Sequence, residues 1–213
     1  MAQEVYTVGH STHSIDRFIE LLLRNQIQVV VDVRSSPFSK FNPQFNRKEL
    51  QESLRQAGIR YLFLGKELGA RSDDPTCYVA GKVQYDRLAK TALFQSGLDR
   101  VIEGSNKFRV ALMCAEKDPL ECHRTILVAR ELVKKDLEVT HILESAACES
   151  HGDAIKRLVT TLGMSLDDMF RSQQEIFDDA YALQAGRIAY DQSEHQQRTA
   201  ARSESDAVTK AIR

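Results

Sequence analysis

At 213 residues, with 42% hydrophobic and 28% charged residues, the chain has the make-up of one well-buried globular domain with an appendage. A formal net charge of −1 excludes a global basic field, so contact with a polyanion would have to rest on a local patch. No apolar run approaches a membrane span and the N-terminus lacks a signal peptide's layout; both point to the cytoplasm, with Cys77, Cys114, Cys122 and Cys148 as thiols.

Val5-Tyr6-Thr7-Val8 reads as a strand leading into Gly9-His10-Ser11-Thr12-His13-Ser14, with Ser14 an N-cap for a helix whose Ile15, Phe18, Ile19, Leu22 and Leu23 share one face. Ile27 to Val33, β-branched and almost wholly apolar, has the pattern of a strand covered on both faces. It opens into Asp32-Val33-Arg34-Ser35-Ser36-Pro37 and an irregular stretch to Phe45. Asn46 with Glu49 spells a capping box for a helix over 47–57, which Gly58 ends. A third strand over 59–64 leads into Gly65-Lys66-Glu67-Leu68-Gly69-Ala70-Arg71 and a loop reaching about Lys82. A helical region over 85–103, interrupted near Ser96-Gly97, precedes a fourth strand, 108–113. Next come a turn dense in chemistry, Cys114 to Arg124, a helix over 125–135 and a fifth strand over 138–143.

Strands alternating with helices, without short hairpin turn signals, predict a Rossmann-like α/β fold. Its core is an open parallel sheet of about five strands with helices on both faces. Residues 1–145 form this domain, 146–191 a C-terminal helical extension, and 192–213 a polar tail. In the extension, 153–163 and 166–190 are expected as helices, with Phe170, Ile176, Phe177, Tyr181 and Leu183 as contact residues and a surface for self-association.

Every polar cluster follows the carboxyl end of a strand, where ligands bind in such sheets. The turn after His10 offers backbone N–H groups to an anion. Asp32 can serve as a base or simply pair with Arg34. Phe38, Phe41 and Phe45, interleaved with Lys40, Asn42 and Arg47, suit stacking on a base and holding a phosphate, or the rings tuck into the core. The Cys114-to-Arg124 turn admits three readings. Cys114 or Cys122 is a nucleophile, although Glu116 and Asp118 disfavour a thiolate and Arg124 lies ten positions past Cys114. Alternatively Cys114, Cys122 and His123 hold zinc, against which adjacent Cys122 and His123 are expected to point different ways. The preferred reading makes Glu116, His123 and Asp32 acid–base groups.

Thr7-Val8-Gly9-His10-Ser11-Thr12-His13, Val31 to Pro37, Asn42-Pro43, Leu64 to Gly69, and Cys114 to Pro119 with Cys122-His123-Arg124 together resemble the domain of unknown function 488 family over roughly residues 4–145. The chain departs at Ala70, where that family usually carries a second glycine. The resemblance implies a cytoplasmic α/β domain with an active site and leaves the activity open. The expected catalytic residues are Asp32, Glu116, His123 and His10. Arg34, Ser36, Lys40, Asn42, Phe45, Glu67, Arg71 and Arg124 are expected to bind substrate. No cofactor or metal is expected. That inventory suits a DNA or nucleotide substrate, with hydrolysis of a base's N-glycosidic bond as the leading reaction. A cysteine-dependent transferase and a non-catalytic nucleic-acid-binding module are the alternatives.

Overall fold

A computed structural model describes residues 3–192, so the expected polar tail lies, from 193 onward, outside the described residues. Among these residues the strands are β1 (Glu4–Gly9), β2 (Val29–Asp32), β3 (Arg60–Phe63), β4 (Tyr78–Val79), β5 (Lys82–Val83), β6 (Val110–Cys114), β7 (Glu138–Ile142) and β8 (Cys148–Ser150). The α-helices are α1 (Ile15–Arg24), α2 (Arg47–Gln56), α3 (Tyr85–Leu88), α4 (Ala92–Ser105), α5 (Arg130–Val133), α6 (His151–Thr161) and α7 (Gln173–Ile188).

The main sheet has six strands in the order β3-β2-β6-β1-β7-β8. The five expected strands pair in parallel, and β8 adds an antiparallel edge beside β7. The chain leaves β1 for β2 across the place of β6, and leaves β6 for β7 across β1. Strand order therefore reverses between β1 and β6, whose ends meet where Gly9 registers with Cys114. A crevice opens at such a reversal because the two connections depart to opposite faces.

The period of two along each strand sorts side chains between two cores. Tyr6, Val8, Val30 and Met113 pack with Phe18 and Leu22 of α1, Leu50 and Leu54 of α2, and Phe45 of the turn before α2. Val5, Val31, Leu112 and Val139 face the opposite layer, which includes Leu98, Leu132, Leu158 and Ile176. Leu22, Leu50 and Leu54 are wholly buried, each contributing about 1.5–3 kcal/mol of transfer free energy. Helices α6 and α7 of the C-terminal extension belong to this second core, since Ala154, Ile155, Val159, Ala180 and Tyr181 are buried within it.

Several local expectations are corrected. Ser14 does cap α1, accepting from Arg17 N, but Asn46 makes no side-chain cap; its Oδ1 accepts instead from Ser39 N at 2.7 Å. The break between α3 and α4 falls at Thr91, whose side chain caps α4, whereas Gly97 lies within the helix. A Cβ at Gly97 would sit 2.7 Å from Glu67 Cβ, so the glycine serves close packing of the 65–69 loop. A hairpin does occur: β4 and β5 turn through Ala80 and Gly81, both at positive φ as the favoured two-residue turn requires. Ile176 and Tyr181 are buried as expected, but Phe170 and Leu183 are exposed, and α7 begins only at Gln173 behind a Ser172–Glu175 capping box.

A buried polar chain ties β1, β7, α6 and α7 together. Thr7 Oγ1 lies 2.7 Å from His141 Nδ1, His141 Nε2 3.1 Å from His151 Nδ1, and His151 Nε2 2.6 Å from the Tyr181 hydroxyl. One direction of donation, Tyr181 to His151 to His141 to Thr7, satisfies every link with both rings neutral. Burial depresses His151 from 6.5 to about 4, and burial with the neighbouring His151 holds His141 well below 6.5. Below 6.5 the unfolded chain therefore binds protons that the folded chain refuses. The stability these groups confer is complete above 6.5 and falls as pH drops toward 4, at up to about 1.4 kcal/mol per pH unit per group. Thermal melts from pH 7.5 to 5 should show a falling midpoint that flattens in His151→Phe; a flat wild-type profile would exclude the account.

Candidate functional site

Gly9 sets the geometry where β1 and β6 end. A Cβ there would lie 2.0 Å from the Glu116 carbonyl oxygen, so only glycine lets the loop after β6 close down on β1. Ser11 N donates to Ala115 O at 2.9 Å, and the wholly buried Arg124 donates through Nη1 to Glu116 O at 2.8 Å and through Nη2 to Lys117 O at 3.3 Å. Arg124 thus anchors the loop from behind. Asp118 caps the short 3₁₀ turn Pro119–Glu121 and pairs with Arg157 at 3.1 Å, which balances its charge.

Behind that turn, Cys122 is extended and His123 is right-handed helical, opening a π-helical turn over Arg124–Ala129. Such turns recur at functional sites because they re-aim consecutive side chains. The expected divergence of Cys122 and His123 is accordingly not found. His123 Nδ1 stands 3.7 Å from Cys114 Sγ and 3.9 Å from Cys122 Sγ. Its Nε2 is 3.0 Å from Val33 O, which fixes a proton on Nε2 and leaves Nδ1 turned toward the sulfurs. Cys122 Sγ also sits 2.8 Å from Glu116 Oε2.

Charge follows from that crowding. Burial raises the Glu116 pKa above its ordinary value, with Cys122 adding to the rise. Burial and the hydrogen bond to Cys122 push the Cys114 thiol up. Burial works against ionising Cys122, but the Cys114 hydrogen bond, Arg124 and His123 outweigh it and hold Cys122 well down. For His123, burial opposes the proton while Cys122 and Glu116 prevail, and its pKa rises.

A second cluster lies on the β2 side. The Asp32 carboxylate, wholly buried, takes Arg34 Nε at 2.9 Å and Nη2 at 2.7 Å in a two-pronged pair, and Tyr61 OH at 2.8 Å. Arg34 Nη2 also donates to Phe45 O at 2.9 Å, while Nη1 lies 3.2 Å from His10 Nε2. His10 can accept there because its Nδ1 proton goes to Ser11 O at 2.8 Å. Burial and Arg34 lower His10 to about 4, so the ring is neutral near pH 7 and acts as a prop for the guanidinium.

One cavity of about 470 Å³ joins the two clusters. Its walls include Arg34, Ser36, Arg71, Cys114, Glu116 and His123 from the expected set. Tyr85, Glu121, Ile188 and Tyr190 also line it, the last two from the C-terminal extension. Arg71 packs over the Tyr190 ring with its guanidinium carbon 4.4 Å from the centroid. Gln184 of α7 secures the opposite side, donating to Leu120 O at 2.9 Å.

The other expected residues are not brought to this cavity. Asp32 and His10 stand behind Arg34, and Cys122 behind Cys114 and Glu116. Phe45 is fully buried, stacked on His10 at 4.3 Å, and offers no face to a ligand. Glu67 pairs with Arg100 at 2.7 Å and lines a neighbouring cavity of about 720 Å³, which shares Ser35 and Arg71 with the first. Lys40 is exposed and Asn42 half-buried, neither of them on the cavity wall. Sequence spacing carried no signal for Tyr85, Ile188 or Tyr190, which arrive through packing of distant elements.

No helix among the described residues is long and apolar enough to cross a membrane. Comparison with curated proteins and with solved structures returned no significant match. A family model, Domain of unknown function DUF488, matches residues 14–130, more than half of the 213-residue chain and the segment carrying Asp32, Arg34, Cys114, Glu116, Cys122 and His123. By that match, the chain belongs to the DUF488 family.

Proposed function

We propose that the cavity between β1 and β6 is the active site of a hydrolase acting on a nucleotide or on a base in DNA, with the N-glycosidic bond as the bond cleaved. One observation carries this reading: two carboxylates (Glu116, Glu121), an imidazole (His123), two guanidiniums (Arg34, Arg71) and two phenol rings (Tyr85, Tyr190) line a single cavity. Its volume, about 470 Å³, is in the range of small-molecule sites. Arg34 and Arg71 hold phosphate, and a phenol ring packs against the base. Glu116 takes the proton of a water that attacks the anomeric carbon while the C–N bond breaks, and the bonding pair leaves with the base. A cytoplasmic, reducing setting keeps Cys114 and Cys122 as thiols. Incubation with DNA carrying unmodified and modified bases, and with free nucleotides, should release base and leave abasic sites or sugar phosphate. Release equal to buffer across that panel would discard the hydrolase.

A second reading has its own observation. Cys114, on the cavity wall and 3.7 Å from His123 Nδ1, is placed as a nucleophile for group transfer. It requires a covalent adduct on Cys114 in enzyme quenched during turnover, visible as a mass increase on that peptide. The hydrolase reading requires none.

A further inference from the structure

Cys114 and His123 line the cavity, and Cys122 stands just behind them with its sulfur beside the same imidazole nitrogen. Cys114 ends β6 at the centre of the sheet, and Cys122 and His123 are locked between the 3₁₀ turn and the π-helical turn. The three donor atoms, all on buried residues, lie within 4.8 Å of one another. From this geometry we infer that Cys114, Cys122 and His123 bind one zinc ion, with a fourth position open to the cavity.

The distances favour a metal over a set of thiol–imidazole hydrogen bonds. Zn–S of ~2.3 Å and Zn–N of ~2.0–2.1 Å at a tetrahedral angle place sulfur and nitrogen ~3.6 Å apart. The observed separations, 3.7 and 3.9 Å, fit that tetrahedral edge with little movement. The imidazole is also prepared for it. Its Nε2 proton is given to Val33 O, the carbonyl partner that commonly orients a metal-ligating histidine, which leaves the Nδ1 lone pair toward both sulfurs. Backbone N–H of Arg124 donates to Cys122 Sγ at 3.4 Å, a contact suited to a thiolate. Two soft ligands and one imidazole select zinc among common divalent ions, whereas magnesium and calcium prefer oxygen donors.

The open side has a defined neighbour. Cys114 and His123 face the cavity that Glu116 also lines, and Glu116 Oε2 reaches to 2.8 Å from Cys122 Sγ. Three protein ligands with a free position toward a cavity distinguish catalytic zinc from structural zinc, which closes its fourth position with protein. A carboxylate beside the free position is placed to take a proton from a water held there. The inference does not depend on which bond is hydrolysed, and it would stand if the substrate were not a nucleotide.

The test reads metal, not activity. Full-length reduced chain, stripped with chelator and checked for native circular dichroism, is titrated with Co²⁺ as a spectroscopic probe and with Zn²⁺ in competition. One equivalent of Co²⁺ should bind with thiolate-to-cobalt charge-transfer absorption, and Zn²⁺ should displace it. Cys114→Ser, Cys122→Ser and His123→Ala should each weaken binding by more than the roughly 10–100-fold that loss of an outer partner costs. Cys148→Ser, at an exposed thiol, should leave it unchanged. Absence of charge-transfer absorption in folded wild-type protein overturns the inference. So does absorption that survives Cys114→Ser/Cys122→Ser and disappears in Cys148→Ser. Base release by metal-free protein together with no cobalt absorption would overturn this inference and leave the hydrolase standing. Bound metal without base release would do the reverse.

Discussion

Replacing Asp32 with alanine is expected to destabilise the fold by about 3–5 kcal/mol, the cost of stripping one partner from a buried ion pair. Arg34 is only 6% exposed and Asp32 is fully buried. Without the carboxylate, the guanidinium keeps its charge in the interior with Phe45 O and a neutral His10 as its remaining partners. The Tyr61 hydroxyl loses its acceptor as well. Asp32→Asn should lose most of the same stability, because an amide fills the space without the charge. Arg34→Met added to Asp32→Ala should recover much of the loss, since the uncompensated charge goes with it. Urea unfolding of the two single variants and the pair measures this. A loss no larger than an exposed pair's would mean that Asp32 does not hold Arg34, and that the carboxylate is free for chemistry after all.

That pairing marks the limit of what the linear chain discloses. The parallel sheet is legible because 29–31 and 110–113 are continuous apolar runs, the pattern of strands covered on both faces. The location of the site is legible because ligands gather where carboxyl ends meet a reversal of strand order. The division of labour within it is not. Asp32 and Glu116 are both carboxylates following buried strands, yet one is enclosed by Arg34 and Tyr61 while the other lines the cavity. Spacing names Arg34 as a partner for Asp32 but cannot choose between pairing and chemistry, because Tyr61 comes from β3 and the cavity wall forms only with the sheet. Cys122 and His123 mislead for a related reason. Adjacent residues diverge along a regular helix or strand, but here the backbone changes from extended to helical between them. Tyr85 and Tyr190 lie more than a hundred residues apart and meet at the cavity only because α7 packs back over the sheet.

Glu116→Gln should lower base release by about 10²–10⁴-fold, the contribution of a positioned general base, while leaving the melting temperature close to wild type. The separation follows from how the loop is held. Arg124 Nη1 grips the carbonyl of residue 116, Arg124 Nη2 that of residue 117, and Ser11 N that of residue 115. Gly9 packs against the same backbone. None of these contacts uses the carboxylate, so glutamine can occupy the position with the loop in place. Its amide N–H can donate to the Cys122 sulfur, but an amide cannot remove a proton from water. Asp32 and Glu116 are thus expected to fail in opposite ways. Loss of Asp32 lowers stability first and activity through a displaced Arg34, whereas loss of Glu116 lowers single-turnover rate in a protein that melts normally. Single-turnover base release and thermal melts on the same preparations read both effects. If Glu116→Gln releases base within about tenfold of wild type, the proton acceptor is another group on the wall, Glu121 or His123.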